Sequence, residues 1–266
     1  MGLIVASDLA IGPAPGRILA RDITFTLEKG EVIAVLGPNG AGKTTLFRTL
    51  LALIPPMAGQ LELSGFDPAT LCPEAIARRL SYVPQAMSAA FPWSVTDFVL
   101  MGRSARIGRF ATPGRADSAI AAKALSRMGI THLAEAPVTR LSGGERQLAL
   151  IARALAQESP AILLDEPAAA LDFGNRERLA QLLSGLAADG LGLIFSTHEP
   201  AQAARLADKV LTIDRAGQAM LGAPSAMLAA ERLAALYGLR LAEVQRASGQ
   251  RAEGCGQIAR PGGIGP

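Results

Sequence analysis

Glu31-Val-Ile-Ala-Val-Leu-Gly-Pro-Asn-Gly-Ala-Gly-Lys-Thr-Thr45 is the stretch that decides the fold. Val32 to Leu36 is an unbroken apolar run, the pattern of a strand buried on both faces of a parallel sheet. Three glycines follow within six residues, at Gly37, Gly40 and Gly42, with Pro38, Asn39 and Ala41 between them. Lys43, Thr44 and Thr45 then open a helix predicted to run to about Leu53 and to stop before Pro55-Pro56. A strand, a glycine turn and a helix start in this order satisfy Gly-x4-Gly-Lys-Thr in its required context. The glycines let backbone N–H groups converge on one centre and admit bulky phosphate oxygens, and the helix dipole adds positive potential there. The plain alternative, a chance glycine turn before a helix, does not call for Lys43 and Thr44 at this spacing. Lys43 is placed to reach the β- and γ-phosphates of a nucleotide, and the Thr44 hydroxyl to bind Mg²⁺.

Outward from this unit the chain alternates strands and helices. Arg21 to Leu27 has Ile23, Phe25 and Leu27 on one side, a half-buried strand, and Leu61 to Leu63 is a short one. From about Ala86 to Arg140 the pattern turns helical, with Ile120, Ala124, Leu125 and Met128 on one face and Gly129 as a C-cap. Alternation then resumes: a helix over Leu148–Ala156, a buried strand over Ala161–Leu164, and a helix carrying Leu179, Leu182, Leu183 and Leu186. A strand over Leu191–Phe195, a helix from Pro200, and a strand over Val210–Ile213 with a turn at Asp214–Gly217 complete the series. The expectation is an α/β fold with an inserted helical subdomain. The segment 254–266 is rich in glycine and proline and reads as disordered.

Composition narrows the function classes. With 266 residues, 50% hydrophobic and 18% charged, the chain can bury a large core. The net charge of +3 is spread without a block of like charges, and aromatics make up 4%, so neither a nucleic-acid tail nor a base-stacking platform is indicated. Cys72 and Cys255 are isolated and show no metal-ligand spacing, which suits a reducing compartment. The N-terminal stretch has no basic region before Asp8 and does not read as a secretory signal. The longest charge-free stretch, Leu80 to Thr96, contains Pro84 and Pro92 and would not span a bilayer as a helix, so membrane association is expected through a partner.

Two more motifs carry chemistry. Ala161-Ile-Leu-Leu-Asp165-Glu166 delivers two acids at the end of a buried strand, where open α/β sheets place their ligands. Asp165 suits Mg²⁺, and Glu166, pointing differently, suits a water that must be polarised for in-line attack. An Asp-Glu pair at a solvated turn is common, and it is the phosphate loop in the same chain that favours the catalytic reading. Leu141-Ser142-Gly143-Gly144-Glu145 opens another helix. Ser142 with Glu145 meets the capping-box rule, yet two glycines in a first turn cost roughly 1 kcal/mol each against alanine. Capping alone does not need them, whereas an anion site at a helix start does.

Leu141-Ser-Gly-Gly-Glu145 resembles the signature motif of ABC ATPases, and residues 3 to 239 resemble a full cassette. The resemblance implies a P-loop NTPase (RecA-like) core over 1–85 and 141–240, an N-terminal antiparallel β subdomain, a helical subdomain over 86–140 and a disordered tail over 241–266. It implies ATP and Mg²⁺ as ligands and a head-to-tail homodimer in which Ser142, Gly143 and Gly144 of one chain cap ATP on the other chain's phosphate loop. Gln85, in Tyr82-Val-Pro-Gln85, resembles the family glutamine that senses Mg²⁺ and water. Asp172 looks like the D-loop residue at the dimer seam, and His198 stands where the switch histidine contacts the γ-phosphate. His132 has no such match and reads as structural. Where the family places an aromatic near the N-terminus to stack on adenine, this chain has Gly12 to Gly16 with Pro13 in that place, and Ala168 follows Pro167 where a hydroxyl residue is common.

The stretches Phe91–Arg103, Leu171–Asn175 and Ser196–Pro200 resemble importer cassettes serving ferric siderophores, haem or cobalamin, and several also resemble those for molybdate, zinc or manganese. This implies an ATPase that powers uptake of an iron chelate or cobalamin-type cargo from the cytoplasmic face of the cell membrane. Its partners would be permease subunits and, through them, a substrate-binding protein, without nucleic acid. Soluble ABC ATPases of translation or repair usually carry two cassettes or a long coiled coil, and neither is visible here. Intact Lys43, Asp165, Glu166 and His198 argue against a non-hydrolysing module.

Overall fold

A computed structural model of the chain describes residues 2–247, apart from residues 15, 86–90, 109–110 and 170. Cys255 and residues 248–266 of the expected tail lie outside the described residues. The order is β1 Ile4–Ile11, β2 Ala20–Leu27, β3 Val32–Leu36, α1 Lys43–Leu50, β4 Ala58–Leu63, α2 Pro73–Ala77, β5 Leu80–Val83, α3 Val95–Leu100, α4 Arg115–Arg127, α5 Gly143–Ala156 and β6 Ala161–Leu164. Then follow α6 Phe173–Ala188, β7 Gly192–Thr197, α7 Pro200–Leu206, β8 Lys209–Ile213, β9 Ala219–Gly222, α8 Pro224–Met227, α9 Ala230–Tyr237 and α10 Leu241–Ala247.

Two sheets share the strands. One is antiparallel, in the order β2-β1-β4, and the other runs β5-β6-β7-β3-β8-β9, parallel except for β9. The apolar run of β3 lies in the middle of the second sheet, Ala34 pairing with Phe195 on one side and Val210 on the other. Val32, Ala34 and Leu36 face one core with the helical region, while Ile33 and Val35 face a second core with α1 and the antiparallel sheet. A strand buried on both faces is therefore what the unbroken apolar run encodes. In β2, Ile23, Phe25 and Leu27 are buried and Arg21, Asp22 and Thr24 exposed, as the alternation predicts.

Three strands were hidden from pattern reading. The period of β1 is interrupted by a register shift after Ala6 with Asp8 at φ 50, a bulge that moves the apolar residues out of phase. β5 is four residues long and includes the fully buried Ser81, so no run stands out, and β9 is equally short. Residues 241–247, expected as the start of a disordered tail, instead form α10, which packs on α9 and buries Val244. The first helix ends at Leu50, three residues before the expected Leu53, because Ala52 adopts φ 54 and the chain turns there. Among the described residues, no helix is long and apolar enough to cross a membrane.

The helical region is clamped to α5. Arg103, just after α3, donates from Nε to Asp117 on α4 at 3.0 Å and from Nη1 to the Ala156 carbonyl at 2.8 Å and to Glu158 at 2.7 Å. Its neighbour Gly102 lets the backbone approach α5 so closely that an added Cβ would run into the Arg153 carbonyl. Gly102→Ala is expected to lower unfolding free energy by about 1–3 kcal/mol, the usual cost of overpacking a tight contact, measured by urea denaturation.

Candidate functional site

Five parallel strands end on one edge of the sheet, and each hands a polar element to the same place. β3 leads into the loop 37–42, β6 into Asp165-Glu166, β7 into His198, β5 into Gln85 and β8 into Arg215. The carboxyl ends of parallel strands are where such sheets open a crevice. Here the crevice is a cleft of about 1040 Å³, lined by Leu19, residues 38–45, Gln85, Glu166, His198, Arg215 and Tyr237.

The glycines of the loop have distinct causes. Gly37 sits where a Cβ would strike the Ile213 carbonyl, so only glycine lets the loop leave β3 alongside the end of β8. Gly42 caps α1 at φ 107, left-handed backbone that side chains resist. Lys43 is buried and folds back over the loop, its Nζ donating to the Gly37 carbonyl at 2.7 Å and to the Pro38 carbonyl at 3.3 Å. Burial pulls its ammonium below the usual lysine range, while the Glu166 and Asp165 carboxylates act in the opposite direction.

Asp165 is 4% exposed and bonded at both oxygens. Its Oδ2 accepts from the Thr44 hydroxyl at 3.1 Å and from the Tyr82 hydroxyl at 3.3 Å, and its Oδ1 accepts from the Ser196 hydroxyl at 2.5 Å. Burial, then the charge and hydrogen bond of Asp165, push the Tyr82 phenol up to about 12 against a smaller opposing effect of Arg48. Tyr82 thus stays a donor to Asp165 throughout the neutral range. The Thr44 hydroxyl and the Asp165 carboxylate lie side by side as hard oxygen donors, a set that fits Mg²⁺.

Glu166 adopts φ 45, and its backbone N–H donates to Ser196 Oγ at 2.9 Å. Its carboxylate turns the other way from Asp165: Gln85 Nε2 donates to Oε2 at 3.0 Å, and His198 Nδ1 lies 3.5 Å from the same oxygen. Gln85 therefore bonds to Glu166, the acid turned away from Asp165. The Tyr237 hydroxyl donates to the His198 carbonyl at 3.4 Å, and burial, then Glu166, raise its titration above the ordinary phenol value. The arrangement joins a glycine loop at a helix start, an oxygen pair that fits a divalent cation, and a second carboxylate turned toward Gln85 and His198.

The remaining expected site residues form a second group that does not line this cleft. Ser142 caps α5 in a complete capping box: its Oγ accepts the Glu145 backbone N–H at 3.3 Å, and Glu145 Oε2 accepts the Ser142 N–H at 2.9 Å and the Ser142 hydroxyl at 2.7 Å. Those contacts, the hydroxyl's first, hold the Glu145 carboxyl below the usual glutamate range. Ser142 and Gly143 are exposed. At Gly144 a Cβ would come within 3.4 Å of Asn175 and 3.5 Å of Leu171, so glycine there lets the start of α5 lie against the start of α6. Asp172 caps α6 through the Asn175 backbone N–H at 2.8 Å, and Phe173 beside it is 83% exposed.

Pattern reading did not assign Leu19, Tyr82, Ser196, Arg215 or Tyr237 to the site. Tyr82 and Ser196 stand inside runs already singled out, beside Gln85 and His198, so proximity was the available signal. Arg215 and Tyr237 had none; they arrive through the pairing of β8 with β3 and the return of α9. Pro13 is exposed and does not line the cleft; the aromatic side chain that does is Tyr237. Ala168, expected to cost a hydroxyl, is 4% exposed.

The profile of the family described as "ABC transporter" matches residues 20–169, more than half of the chain. The molybdate import ATP-binding protein MolC of Haemophilus influenzae is 40% identical over 230 residues, covering 86% of this chain and 85% of that protein. The hemin import ATP-binding protein HmuV of Nocardia farcinica is 38% identical over 226 residues, covering 85% of this chain and 78% of that one. A solved inward-facing structure of a putative metal-chelate type ABC transporter superposes with a TM-score of 0.80 at 38% identity, over 90% of each chain. Loop, acids, signature helix and relatives agree: the chain belongs to the ABC transporter family, as an ATP-binding cassette.

Proposed function

We propose that this cassette hydrolyses ATP at the seam between two copies of itself and thereby drives a metal-chelate or cobalamin-type importer. The observation that carries the reading is the division of its site residues. One chain gathers Lys43, Thr44, Gln85, Glu166 and His198 around a cleft, with the buried Asp165 bonded to Thr44 behind it, while Ser142, Gly143 and Asp172 lie on a separate exposed ridge beside the half-buried Gly144. A second copy set head to tail brings that ridge over the cleft, and the exposed Phe173 supplies an apolar contact beside it.

Within this arrangement the roles follow from chemistry. Lys43 and the N–H groups of the loop 37–42 hold the β- and γ-phosphates. Thr44 and Asp165, with Gln85 nearby, would hold Mg²⁺, which when bound neutralises charge on the phosphates. Glu166 orients a water in line with the γ-phosphorus and accepts its proton as the bond to the β-phosphate oxygen breaks, leaving ADP and inorganic phosphate. His198 donates to a γ-phosphate oxygen from the far side of Glu166. The partner's Ser142 hydroxyl leaves Glu145 for the γ-phosphate when the two chains close, so ATP binds the closed pair better than the open one.

Segment 86–140 is proposed as the helical unit that passes this closure to a permease on the cytoplasmic face of the membrane, with a substrate-binding protein delivering the cargo. Relatedness to haem and metal-chelate systems supports an iron chelate or a cobalamin-type cargo, and 40% identity to a molybdate cassette supports molybdate as the second reading. Cells lacking the chain should lose uptake of labelled ferric siderophore, haem or cobalamin and recover it on complementation. Loss of molybdate uptake alone selects the second reading, and unchanged uptake of all of these overturns both cargo readings.

A further inference from the structure

The geometry points to Ser196 as a positioning residue that locks the metal-binding acid, the general base and the switch histidine into one register. Its side chain is completely buried at the end of β7, two residues before His198. The hydroxyl spends its single proton on Asp165 Oδ1 at 2.5 Å and accepts the Glu166 backbone N–H at 2.9 Å. One oxygen atom thus bridges the side chain of one acid and the main chain of the next. Hydrogen bonds to a carboxylate of this length are among the strong ones.

The bridge answers two physical problems. Asp165 meets Thr44 through Oδ2, and a carboxylate gripped on that side alone can swing about its Cα–Cβ bond; Ser196 fixes the opposite oxygen. Glu166 holds a left-handed backbone at φ 45, which is unfavourable for a side-chain-bearing residue and persists only where its surroundings hold it. That conformation is what turns the Glu166 carboxylate away from Asp165 and toward Gln85 and His198. The Ser196 oxygen is the acceptor that holds the N–H in this orientation. Because β7 ends at Thr197 and leads straight into His198, the residue that holds the Glu166 backbone stands two positions before the histidine that faces the Glu166 carboxylate. The pairing of Ser196 with Val35 in the sheet is made by the backbone and does not itself call for the hydroxyl.

The inference rests on the ATPase reading, and the test separates the two. In Ser196→Ala, kcat for ATP should fall about tenfold or more, the loss expected for a charge-assisted bond and its dependent backbone bond. The Mg²⁺ concentration that half-maximally tightens a fluorescent ATP analogue should rise severalfold. Affinity for that analogue in EDTA, which depends on the loop and Lys43, should stay within about twofold of wild type. An alanine variant with wild-type kcat and wild-type Mg²⁺ response overturns the role. So does a variant that loses affinity in EDTA in proportion to kcat, since that marks general disruption of the cleft. A wild-type chain that shows neither hydrolysis nor tightening by Mg²⁺ refutes instead the ATPase reading beneath it.

Discussion

Glu166→Gln should bind ATP at least as tightly as wild type while turning it over about a hundredfold more slowly or worse, the size of effect a positioned general base supplies. The substitution is nearly isosteric. The amide oxygen still accepts from Gln85 Nε2, which sits 3.0 Å from the carboxylate, and the backbone N–H still reaches Ser196. What disappears is the capacity to take a proton from water. Binding without turnover should hold the closed pair, so the variant is expected to run as a dimer in ATP and as a monomer in ADP by sedimentation velocity. Wild-type phosphate release from this variant would remove Glu166 from the base role.

Lys43→Ala should cut ATP affinity by about tenfold to a hundredfold and hydrolysis by about a thousandfold, because the lysine contributes to both the bound state and the transition state. The sign of its pH dependence also follows. Burial holds the free-chain ammonium below the usual lysine range, and a bound triphosphate favours the charged form. ATP binding is therefore strongest while Lys43 is protonated and weakens as pH rises through its lowered titration. Lys43→Ala should lose that alkaline decline, which calorimetric titrations from neutral to alkaline pH would show. An alanine variant that keeps wild-type affinity would place the phosphates elsewhere.

The parts of the site visible in the sequence are those whose chemistry is local. Gly37 to Thr44 is a contiguous device, and so are Asp165-Glu166 and the Ser142–Glu145 box; each folds as its own spacing dictates. β3 and β6 announce themselves because burial on both faces demands an unbroken apolar run. The remainder depends on contacts made across the chain. Ser196 meets Asp165 and Glu166 only because β7 pairs with β6, and Arg215 reaches the cleft only because β8 pairs with β3. β1 was obscured by its bulge, and the structured start of the C-terminal segment depends on packing of α10 against α9. Ser142 shows both levels at once: its sequence indicates a cap and an anion site, and in the single chain it is the cap that forms.

The central claim is that a triphosphate is gripped by the loop of one chain and the signature helix of another. A crystal structure of Glu166→Gln loaded with ATP tests it most directly. The account predicts Lys43 Nζ of one chain and the Ser142 hydroxyl of a second chain within hydrogen-bond distance of the same γ-phosphate. An ATP-filled cleft whose γ-phosphate meets no group from a second chain would contradict it.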